Sequence, residues 1–528
     1  MFGFLVPFFG YASTFYRFKY FFSLLKKRHP QIIADVPHRV NKTKYLPVLF
    51  IVRNADIYPS RLLSVEILID NQSAKKITIN KNLSDDYWDH IERIDISSFE
   101  NGYRKINIRF SYKIRNKIFV CFNDNYRRPS HKAIPCYFSD TVLPSINGFY
   151  HAEMHSHSNY TNDQIEFGAS IESTAAMAEA VGMNVICITD HSYDLDDMPG
   201  NFLINDPELN KWKAFKNEVK QHNENQPAVL VIAGEEVSVR NRKNENVHLL
   251  VYNDDHFFEG NGDSGEKWFH YYSRNSITDV TRSLSNKAMA FAAHPTDEIP
   301  GMHHLLLNRG KWSVEDSLNE ELCGVQILNG HGKDKTREAI SYWTKILLKN
   351  KQRFALAGND AHGNFGVNRS IHVPFLTISE TYTQLFGLWR TDIFFGDKPL
   401  TVDNTVEALR TGNYTLTNGP ALDFFIIDAL GDRKVMGSKG KKPIKGCIKA
   451  VSNKEFGKIN KVIVWLGDIK NSREVIYKNI SCSDNFDLDK EFEITNETQL
   501  GYFRVEISSS GPKGEHHAFS NPIWFHND

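Results

Sequence analysis

The sequence predicts an α/β protein, with a distorted (β/α)7 barrel between an N-terminal β domain and a C-terminal β-sandwich. Between residues 146 and 420, seven short apolar runs alternate with stretches of helical composition. Continuous apolar strands with helices between them are typical of a parallel sheet covered on both faces. Outside this region the runs are rich in β-branched and aromatic residues and are separated by polar turns, which indicates antiparallel sheets.

These patterns divide the chain of 528 residues into four segments. Residues 1–44 are an aromatic-rich N-terminal segment, and residues 45–145, with runs such as "YLPVLFIVRN" and "KINIRFSYKI", are a β domain. Residues 146–420 are the predicted barrel. Residues 421–528, with "DFFIID" and "KVIVWLG", are the β-sandwich.

Composition excludes some classes of partner. Lys+Arg and Asp+Glu both number 63, so the chain has no overall basic field to attract nucleic acid. The six cysteines are scattered and form no CxxC motif, which favours a reducing, cytoplasmic location. Within residues 1–25, the first apolar run is too short to span a bilayer, and Arg17 and Lys19 interrupt a longer one. We expect this segment to pack on the protein, with membrane contact as the less favoured alternative.

Potential metal ligands stand at the ends of nearly all the apolar runs. They are His155, His157, Asp190, His191, Glu235, Glu236, His248, His294, Asp360 and His362. The carboxyl ends of parallel barrel strands lie on one rim, so these side chains should converge. Taken one at a time, these residues are explained equally well without a metal: His155 and His157 as an exposed pair, Asp190 as a turn residue and His294 as a buried histidine. Their joint occurrence on one rim favours a metal site.

His248 stands near the start of its run rather than at the end. Only eleven residues separate it from Glu236, which is too short for a helical crossover. The two strands should therefore pair antiparallel, and this arrangement places His248 on the same rim.

The set of motifs resembles the polymerase and histidinol phosphatase (PHP) family of metal-dependent hydrolases. The matching residues are His155, His157 and Asp163 in "HSHSNYTND", His191 in "TDH", Glu236 in "GEEVS", His248, His294 in "HP", and Asp360 and His362 in "NDAH". The Gly-x-Glu pattern of the family selects Glu236 over Glu235. The later block "TVEALRTGNYTLTNGPALDF" is similar to the carbaryl hydrolase (CehA/McbA-type) branch.

The resemblance implies two or three divalent ions of zinc, manganese or iron. One ion would take His155, His157, Glu236 and Asp360; a second would share Glu236 and take His248 and His294; a third would take Asp163, His191 and His362. Nitrogen and oxygen ligands without thiolate suit all three metals. The expected reaction is hydrolysis of a small-molecule ester by metal-activated hydroxide, with a phosphate mono- or diester favoured and a carboxyl or carbamate ester next. A nuclease and a non-catalytic metal-bound scaffold are the competing functions.

Other residues have expected roles around this centre. Glu236 and Asp360 are expected to be catalytic as well as ligands. Asp190 would orient a histidine ring, or cap a strand end. Arg369 would pair with a substrate anion, or belong to a surface loop. Further residues that would line the pocket are His303, His304, Arg309 and His331.

Overall fold

The computed structural model describes residues 28–41, 43–126, 132–162, 167–260, 272–299, 307–330, 333–366, 384–482 and 484–527, together with residue 304 and the strands at 370–373 and 376–379. Several predicted features lie outside these residues, namely the segment 1–25 and the side chains of Asp163, His303, His331 and Arg369. In the part of the chain that is described, no helix is both long enough and apolar enough to cross a membrane.

The N-terminal domain consists of two packed sheets. Its strands are β1 (Gln31–Asp35), β2 (Arg39–Val40), β3 (Tyr45–Arg53), β4 (Ser60–Ile69), β5 (Gln72–Leu83), β6 (Tyr87–Asp95), β7 (Gly102–Ile114), β8 (Lys117–Phe122) and β9 (Ile134–Phe138). One sheet has the order β1-β3-β6 and the other β2-β9-β7-β4-β5, with β8 on the second half of β7. Alternate residues of the strands, such as Ile67 and Ile108, face a shared buried core.

The middle region carries strands and helices in succession. They are β10 (Phe149–Ser156), α1 (Ile171–Val181), β11 (Val185–His191), α2 (Ser192–Leu195), β12 (Asp197–Met198), β13 (Asn201–Asn205), α3 (Asn210–Glu224), β14 (Leu230–Arg240), β15 (Asn246–Tyr252), α4 (Ile277–Arg282), β16 (Met289–Ala292), β17 (Gly324–Asn329), α5 (Lys333–Leu347), β18 (Phe354–Gly358), β19 (Ser370–Val373), β20 (Leu376–Ser379), β21 (Arg390–Phe394), α6 (Val402–Thr411) and β22 (Tyr414–Thr417). Local signals set the helix ends. Ser170 caps α1 by accepting a hydrogen bond from Ser173 N, and Gly182 ends it at φ 106°.

The C-terminal region is again built from strands. They are β23 (Ala421–Asp428), β24 (Arg433–Val435), β25 (Lys439–Gly440), β26 (Pro443–Val451), β27 (Lys458–Asp468), β28 (Arg473–Ile480), β29 (Asp487–Glu493), β30 (Leu500–Gly511), β31 (Gly514–Ser520) and β32 (Ile523–His526). The sheet β24-β23-β26-β29 shares a buried core with strands β27, β30 and β32.

The predicted (β/α)7 PHP barrel, and with it a TIM-like barrel, is wrong. Strands make up 47% and helices 14% of the described residues, so this part of the chain is mostly β rather than α/β. Strand β15 is antiparallel to both β14 and β16, and β21 is antiparallel to β10. The strands also do not form a unit of their own, because β22 pairs with β31 and continues one 15-stranded sheet into the C-terminal region.

The physical reason lies in what covers the sheet. The apolar runs are buried, and strands of the N-terminal domain share one of their buried clusters with helices α1 and α3. Ile186 of β11 and Val231 of β14 belong to the same buried cluster as Leu49 and Ile51 of β3. Burial on both faces makes a strand apolar whether helices or another sheet cover it, so the apolar pattern alone does not distinguish the two.

A buried ion pair joins the first and last domains. Arg39 of β2 donates from Nε and Nη2 to the two carboxylate oxygens of Glu455, each at 3.0 Å, and both side chains are almost fully buried. Lys513 Nζ lies 2.7 Å from Glu455 Oε1, and Ser139 Oγ donates to Oε2 at 3.0 Å. Burial alone would raise the pKa of Glu455, but Arg39 and Lys513 lower it to about 2. The carboxylate is therefore ionised and holds the two domains together.

We predict that this contact is lost in acid. Because the folded-state pKa of Glu455 lies below its unfolded value, the stabilisation is complete above about pH 4.5 and disappears as the pH falls toward 2. Glu455→Gln should lower stability at pH 7 by roughly 3 kcal/mol and flatten the dependence of the melting temperature on pH between 5 and 3. Lys458→Gln, which breaks an exposed pair with Asp484, is the control. Equal acid sensitivity of Glu455→Gln and wild type would contradict the prediction.

Candidate metal centre

Three neighbouring strands bring the first ligands together. β10, β11 and β14 pair in parallel, so their carboxyl ends lie side by side. His155 lies at the end of β10 with His157 just beyond it, and His191 at the end of β11 is in register with Glu236 of β14. Three of these side chains, His155, His157 and Glu236, are no more than 1% exposed. Burial of polar groups is costly unless their charge is compensated, and here histidine and carboxylate side chains face one another.

His248 and His294 reach the same place from antiparallel strands. As the short connection predicts, β15 runs antiparallel to β14, and His248 is opposite Ser238, two residues beyond Glu236. His294 follows the end of β16 and has φ 26°, an unfavourable backbone conformation for a residue with a side chain. Local strain of this kind persists where the surroundings enforce it, often at functional sites.

The turn after β18 supplies Asp360 and His362. Asp360 has φ 51°, in the left-handed region that aspartate tolerates better than most residues. Ala361 between them is tied to β10 by two backbone hydrogen bonds: His157 N donates to Ala361 O at 2.9 Å, and Ala361 N donates to His155 O at 3.3 Å. The turn is therefore fixed directly to the strand that carries the first two histidines.

Glu236 is at the centre of the cluster. Its Oε2 lies 3.4 Å from Nε2 of both His155 and His157, and 3.1 Å from Nδ1 of His191. Its Oε1 lies 2.5 Å from Nδ1 of His248 and 3.0 Å from Nε2 of His294. One carboxylate thus faces two separate groups of histidines.

Eight of the nine predicted ligands are therefore brought together, and the ninth, Asp163, lies outside the described residues. Seven of these eight residues, all except His294, form three overlapping groups, within each of which the ligand atoms lie within 4.8 Å of one another. These groups are His155, His157, Glu236 and Asp360; His191, Glu236 and His248; and His157, His191 and His362. Buried histidine and carboxylate groups of the chain could therefore hold metal ions.

The first group fits a divalent ion in its spacing. Ligand atoms of a tetrahedral ion with bonds of about 2.0–2.1 Å are about 3.3 Å apart. Asp360 Oδ1 lies 3.3 Å from His155 Nε2 and 3.1 Å from His157 Nε2, and the two distances from Glu236 Oε2 are both 3.4 Å. Among the described residues, His155 Nε2, Glu236 Oε2 and His362 Nε2 are buried without a hydrogen-bond partner. Since such atoms destabilise a protein unless they are satisfied, they also suit ligands of a cation.

The electrostatics of the cluster favour a cation. Burial alone would raise the pKa of Glu236 and of Asp360, but the surrounding imidazoles hold both pKa values well below the usual range. Burial lowers the pKa of His155, yet the two carboxylates raise it to about 9. Burial and the neighbouring rings of His362 and His191 keep the pKa of His157 well below normal. The carboxylates are thus ionised and attract positive charge. His157 is uncharged, so a ring nitrogen can bind a cation through its lone pair.

Glu235 points to the other side of β14. Its Oε1 accepts a hydrogen bond from Trp212 Nε1 at 3.2 Å, and its Oε2 from Ser192 Oγ at 3.1 Å. Burial raises the pKa of Glu235 to about 8. The alternation of side chains along a strand therefore places only Glu236 in the cluster.

Asp190 fixes a loop. Its Oδ1 accepts hydrogen bonds from Ser158 N at 2.7 Å and Thr161 N at 3.1 Å, and its Oδ2 accepts one from Ser158 Oγ at 2.6 Å. Thr161 Oγ1 in turn lies 3.3 Å from His157 Nδ1. Asp190 therefore acts on His157 through Thr161, and none of its described hydrogen bonds is to a histidine ring.

Of the residues expected to line the pocket, Arg309 lies at the cluster. Its Nη1 is 3.4 Å from His248 Nδ1. The backbone around it is held beside β15, because Asn246 N donates to Asn308 O and Gly310 N donates to Asn246 O, each at 2.8 Å. His304 is exposed, and its Nδ1 contacts the carbonyl oxygen of Arg309.

Gln326 is a supporting residue that the sequence analysis missed. It lies on β17, whose run "GVQILNG" contains no typical metal ligand. Its Oε1 is 2.9 Å from His155 Nδ1, and its Nε2 donates to Asn329 Oδ1 at 3.0 Å. Since the amide nitrogen is engaged by an acceptor, its oxygen must accept from His155. A proton is thereby held on Nδ1, and Nε2 faces the carboxylates.

We predict that Gln326→Leu weakens metal binding by about 10–100-fold, because the ring of His155 loses the group that fixes its orientation and proton. Competition with a chromophoric chelator measures the affinity. Gln221→Leu, on the exposed surface of α3, is the matched control. An unchanged affinity in Gln326→Leu would show that the hydrogen bond does not support the centre.

Glu153 is a second missed residue, two positions before His155. It is fully buried, and its Oε1 accepts from His155 N and Asn359 N, both at 3.0 Å. Its Oε2 accepts from Gly387 N at 2.8 Å and from Asn359 Nδ2. Burial raises the pKa of Glu153 to about 7. One carboxyl group thus ties β10 to the residue before Asp360 and to the segment before β21.

No model of a protein family and no curated protein matches this sequence. Solved structures to which the chain is similar include the apo β-glucuronidase 3 of Bacteroides uniformis, with 8% identity over 94% of this chain and 63% of that chain and a TM-score of 0.19. A second is the cycloisomaltooligosaccharide glucanotransferase of Paenibacillus sp. in complex with cycloisomaltoheptaose, with 8% identity over 94% of this chain and 72% of that chain and a TM-score of 0.19. A third is the β-D-mannosidase of Dictyoglomus thermophilum, with 7% identity over 95% of this chain and 68% of that chain and a TM-score of 0.23. The chain spans less than two thirds of the length of the glucuronidase. TM-scores this low carry no argument about fold or function.

Proposed function

We propose that the chain is a metal-dependent hydrolase of small-molecule esters, with phosphate mono- or diesters as the favoured substrates. The observation that carries this proposal is the position of Glu236, whose two oxygens face separate groups of histidines. A carboxylate shared in this way suits a centre of two or more zinc, manganese or iron ions. The order of the ligands along the sequence, which resembles that of the PHP family, supports the same function.

Bound divalent ions would lower the pKa of a coordinated water and stabilise negative charge on a phosphoryl or carbonyl oxygen. The residues of the chain would hold and orient them. Gln326 keeps the proton of His155 on Nδ1, and Gln384 Nε2 donates to Asp360 Oδ2 at 3.3 Å, which leaves Oδ1 toward the histidines. The absence of thiolate from the described cluster suits exchangeable ligands better than a closed structural site.

Arg309 supports an anionic substrate. A guanidinium carries a permanent charge, and its position 3.4 Å from His248 Nδ1 places that charge beside the candidate ions. The guanidinium of Arg309 and a bound metal ion repel each other at this distance unless an anion lies between them. A phosphate ester brings such an anion, whereas a neutral carboxyl or carbamate ester does not.

The test combines metal analysis with turnover. The purified chain, reconstituted in turn with zinc, manganese and iron, is assayed on p-nitrophenyl phosphate, bis(p-nitrophenyl) phosphate, p-nitrophenyl acetate and 1-naphthyl methylcarbamate. We expect hydrolysis of a phosphate ester that Asp360→Asn abolishes with folding intact. Turnover of the acetate or carbamate alone would assign the carboxyl-ester alternative. Fully loaded protein without turnover on any substrate would favour the scaffold.

A further inference from the structure

The outer face of the N-terminal domain carries a row of exposed apolar side chains on strand β8. Ile118 is 63% exposed, Val120 50% and Phe122 42%, while Cys121, which alternates with them, faces the core. We call Ile118, Val120 and Phe122 the β8 ridge. Three neighbouring apolar side chains exposed in this way are unusual on a surface that meets only water.

Basic side chains adjoin the ridge on the same face of the sheet. Cross-strand partners point to the same side, and Ile118 is opposite Lys113, which is in turn opposite Arg61 on β4. Phe122 is opposite Arg109, whose partner is the acidic residue on this face, Glu66, at 3.3 Å. The β7–β8 turn adds two exposed cations, Arg115 and Lys117. Three cations on this face and two more in the adjoining turn therefore surround the ridge with one carboxylate, in contrast with the zero net charge of the chain.

The described part of the chain begins beside strand β8. His29 packs its ring against Phe119 of β8 at 4.5 Å, and its Nδ1 lies 3.0 Å from the hydroxyl of Tyr112. The 27 residues before position 28 contain eleven phenylalanines and tyrosines, and residues 26–28 are all basic. The chain therefore enters the domain on the face of β8 opposite the ridge, directly after a stretch rich in aromatic and basic residues.

We propose that this face docks on an anionic phospholipid membrane, with the β8 ridge in contact with the lipid interface and the surrounding basic residues against the headgroups. Apolar side chains and clustered cations each give only weak, reversible membrane binding, whereas two signals together give stable association. Here the two signals lie on one face. The proposal is independent of the function of the metal centre.

Association of the full chain with vesicles tests the proposal. Vesicles of phosphatidylcholine with an equal amount of phosphatidylglycerol are compared with pure phosphatidylcholine in a flotation assay, at low and high salt. We expect binding to the anionic vesicles that weakens with salt. Ile118→Ser with Val120→Ser should reduce it about fivefold or more, and Lys113→Glu with Arg61→Glu about tenfold or more. Circular dichroism and melting temperature check that each variant is folded.

Matched controls lie on the C-terminal domain. Leu430→Ser changes an apolar residue that is 65% exposed, and Lys439→Glu reverses an exposed charge; neither should alter binding. Absence of binding to anionic vesicles by the wild-type chain would overturn the proposal. So would binding that all variants retain, which would assign it to the N-terminal segment alone. A concentration-dependent dimer that the ridge variants abolish, without vesicle binding, would identify the face as a contact between copies of the chain.

Discussion

Glu236→Gln is expected to remove bound metal from one of the two groups of histidines and to lower turnover by more than about a hundredfold. Loss of a residue that merely supports a ligand costs about 10–100-fold, so loss of a shared ligand should exceed it. The amide that replaces the carboxylate offers one oxygen and one nitrogen, and the nitrogen is a donor that cannot bind a cation. Whichever way the amide turns, either His155 and His157 or His248 and His294 lose their oxygen partner.

The neighbouring residue provides the control for Glu236→Gln. Glu235 is also buried and on the same strand, but its carboxylate contacts Ser192 and Trp212 on the other face. Glu235→Gln should retain metal, and any change should be in stability. Elemental analysis of bound metal per chain, together with turnover, separates the two variants. Full metal content in Glu236→Gln would contradict the shared-ligand arrangement.

The positions of the ligands could be predicted because each belongs to a chemically distinctive residue type at a strand end. Histidine and carboxylate side chains stand out against apolar runs, and the eleven residues between Glu236 and His248 are enough to predict an antiparallel pair. Supporting residues give no such signal. Gln326 and Glu153 matter because of partners that lie 171 and 206 residues away in sequence, namely His155 and Asn359.

The error in the fold has a related cause. The sequence "RTDIF" of β21 contains an arginine, a threonine and an aspartate, so it does not resemble a buried strand. The structure nevertheless buries Arg390 and Asp392, which pair with each other at 3.1 Å, and Asp392 also contacts His151 Nδ1 at 2.7 Å. Because β21 pairs with β10 and with β22, this strand joins the middle region to the C-terminal strands. A strand buried by polar pairing is not visible in an apolar pattern.

Glu153→Ala is expected to destabilise the chain by about 3–5 kcal/mol, because it leaves several buried donors without an acceptor. These donors are His155 N, Asn359 N, Asn359 Nδ2 and Gly387 N. Glu153→Gln should also destabilise, because its amide nitrogen would face donors in place of one oxygen. Thermal and denaturant unfolding measure both variants, with Glu179→Ala on the exposed surface of α1 as the control.

The effect of Glu153→Ala should extend to the metal centre. Asn359 precedes Asp360, whose left-handed backbone conformation depends on its surroundings, and His155 follows Glu153 by two residues. When the shared acceptor is lost, the turn after β18 can move relative to β10, and the distance of 3.3 Å between His155 Nε2 and Asp360 Oδ1 is no longer fixed. Metal affinity should therefore fall together with stability. A variant that unfolds more easily but binds metal as tightly as wild type would show that the backbone bonds of Ala361 fix the two ligands on their own.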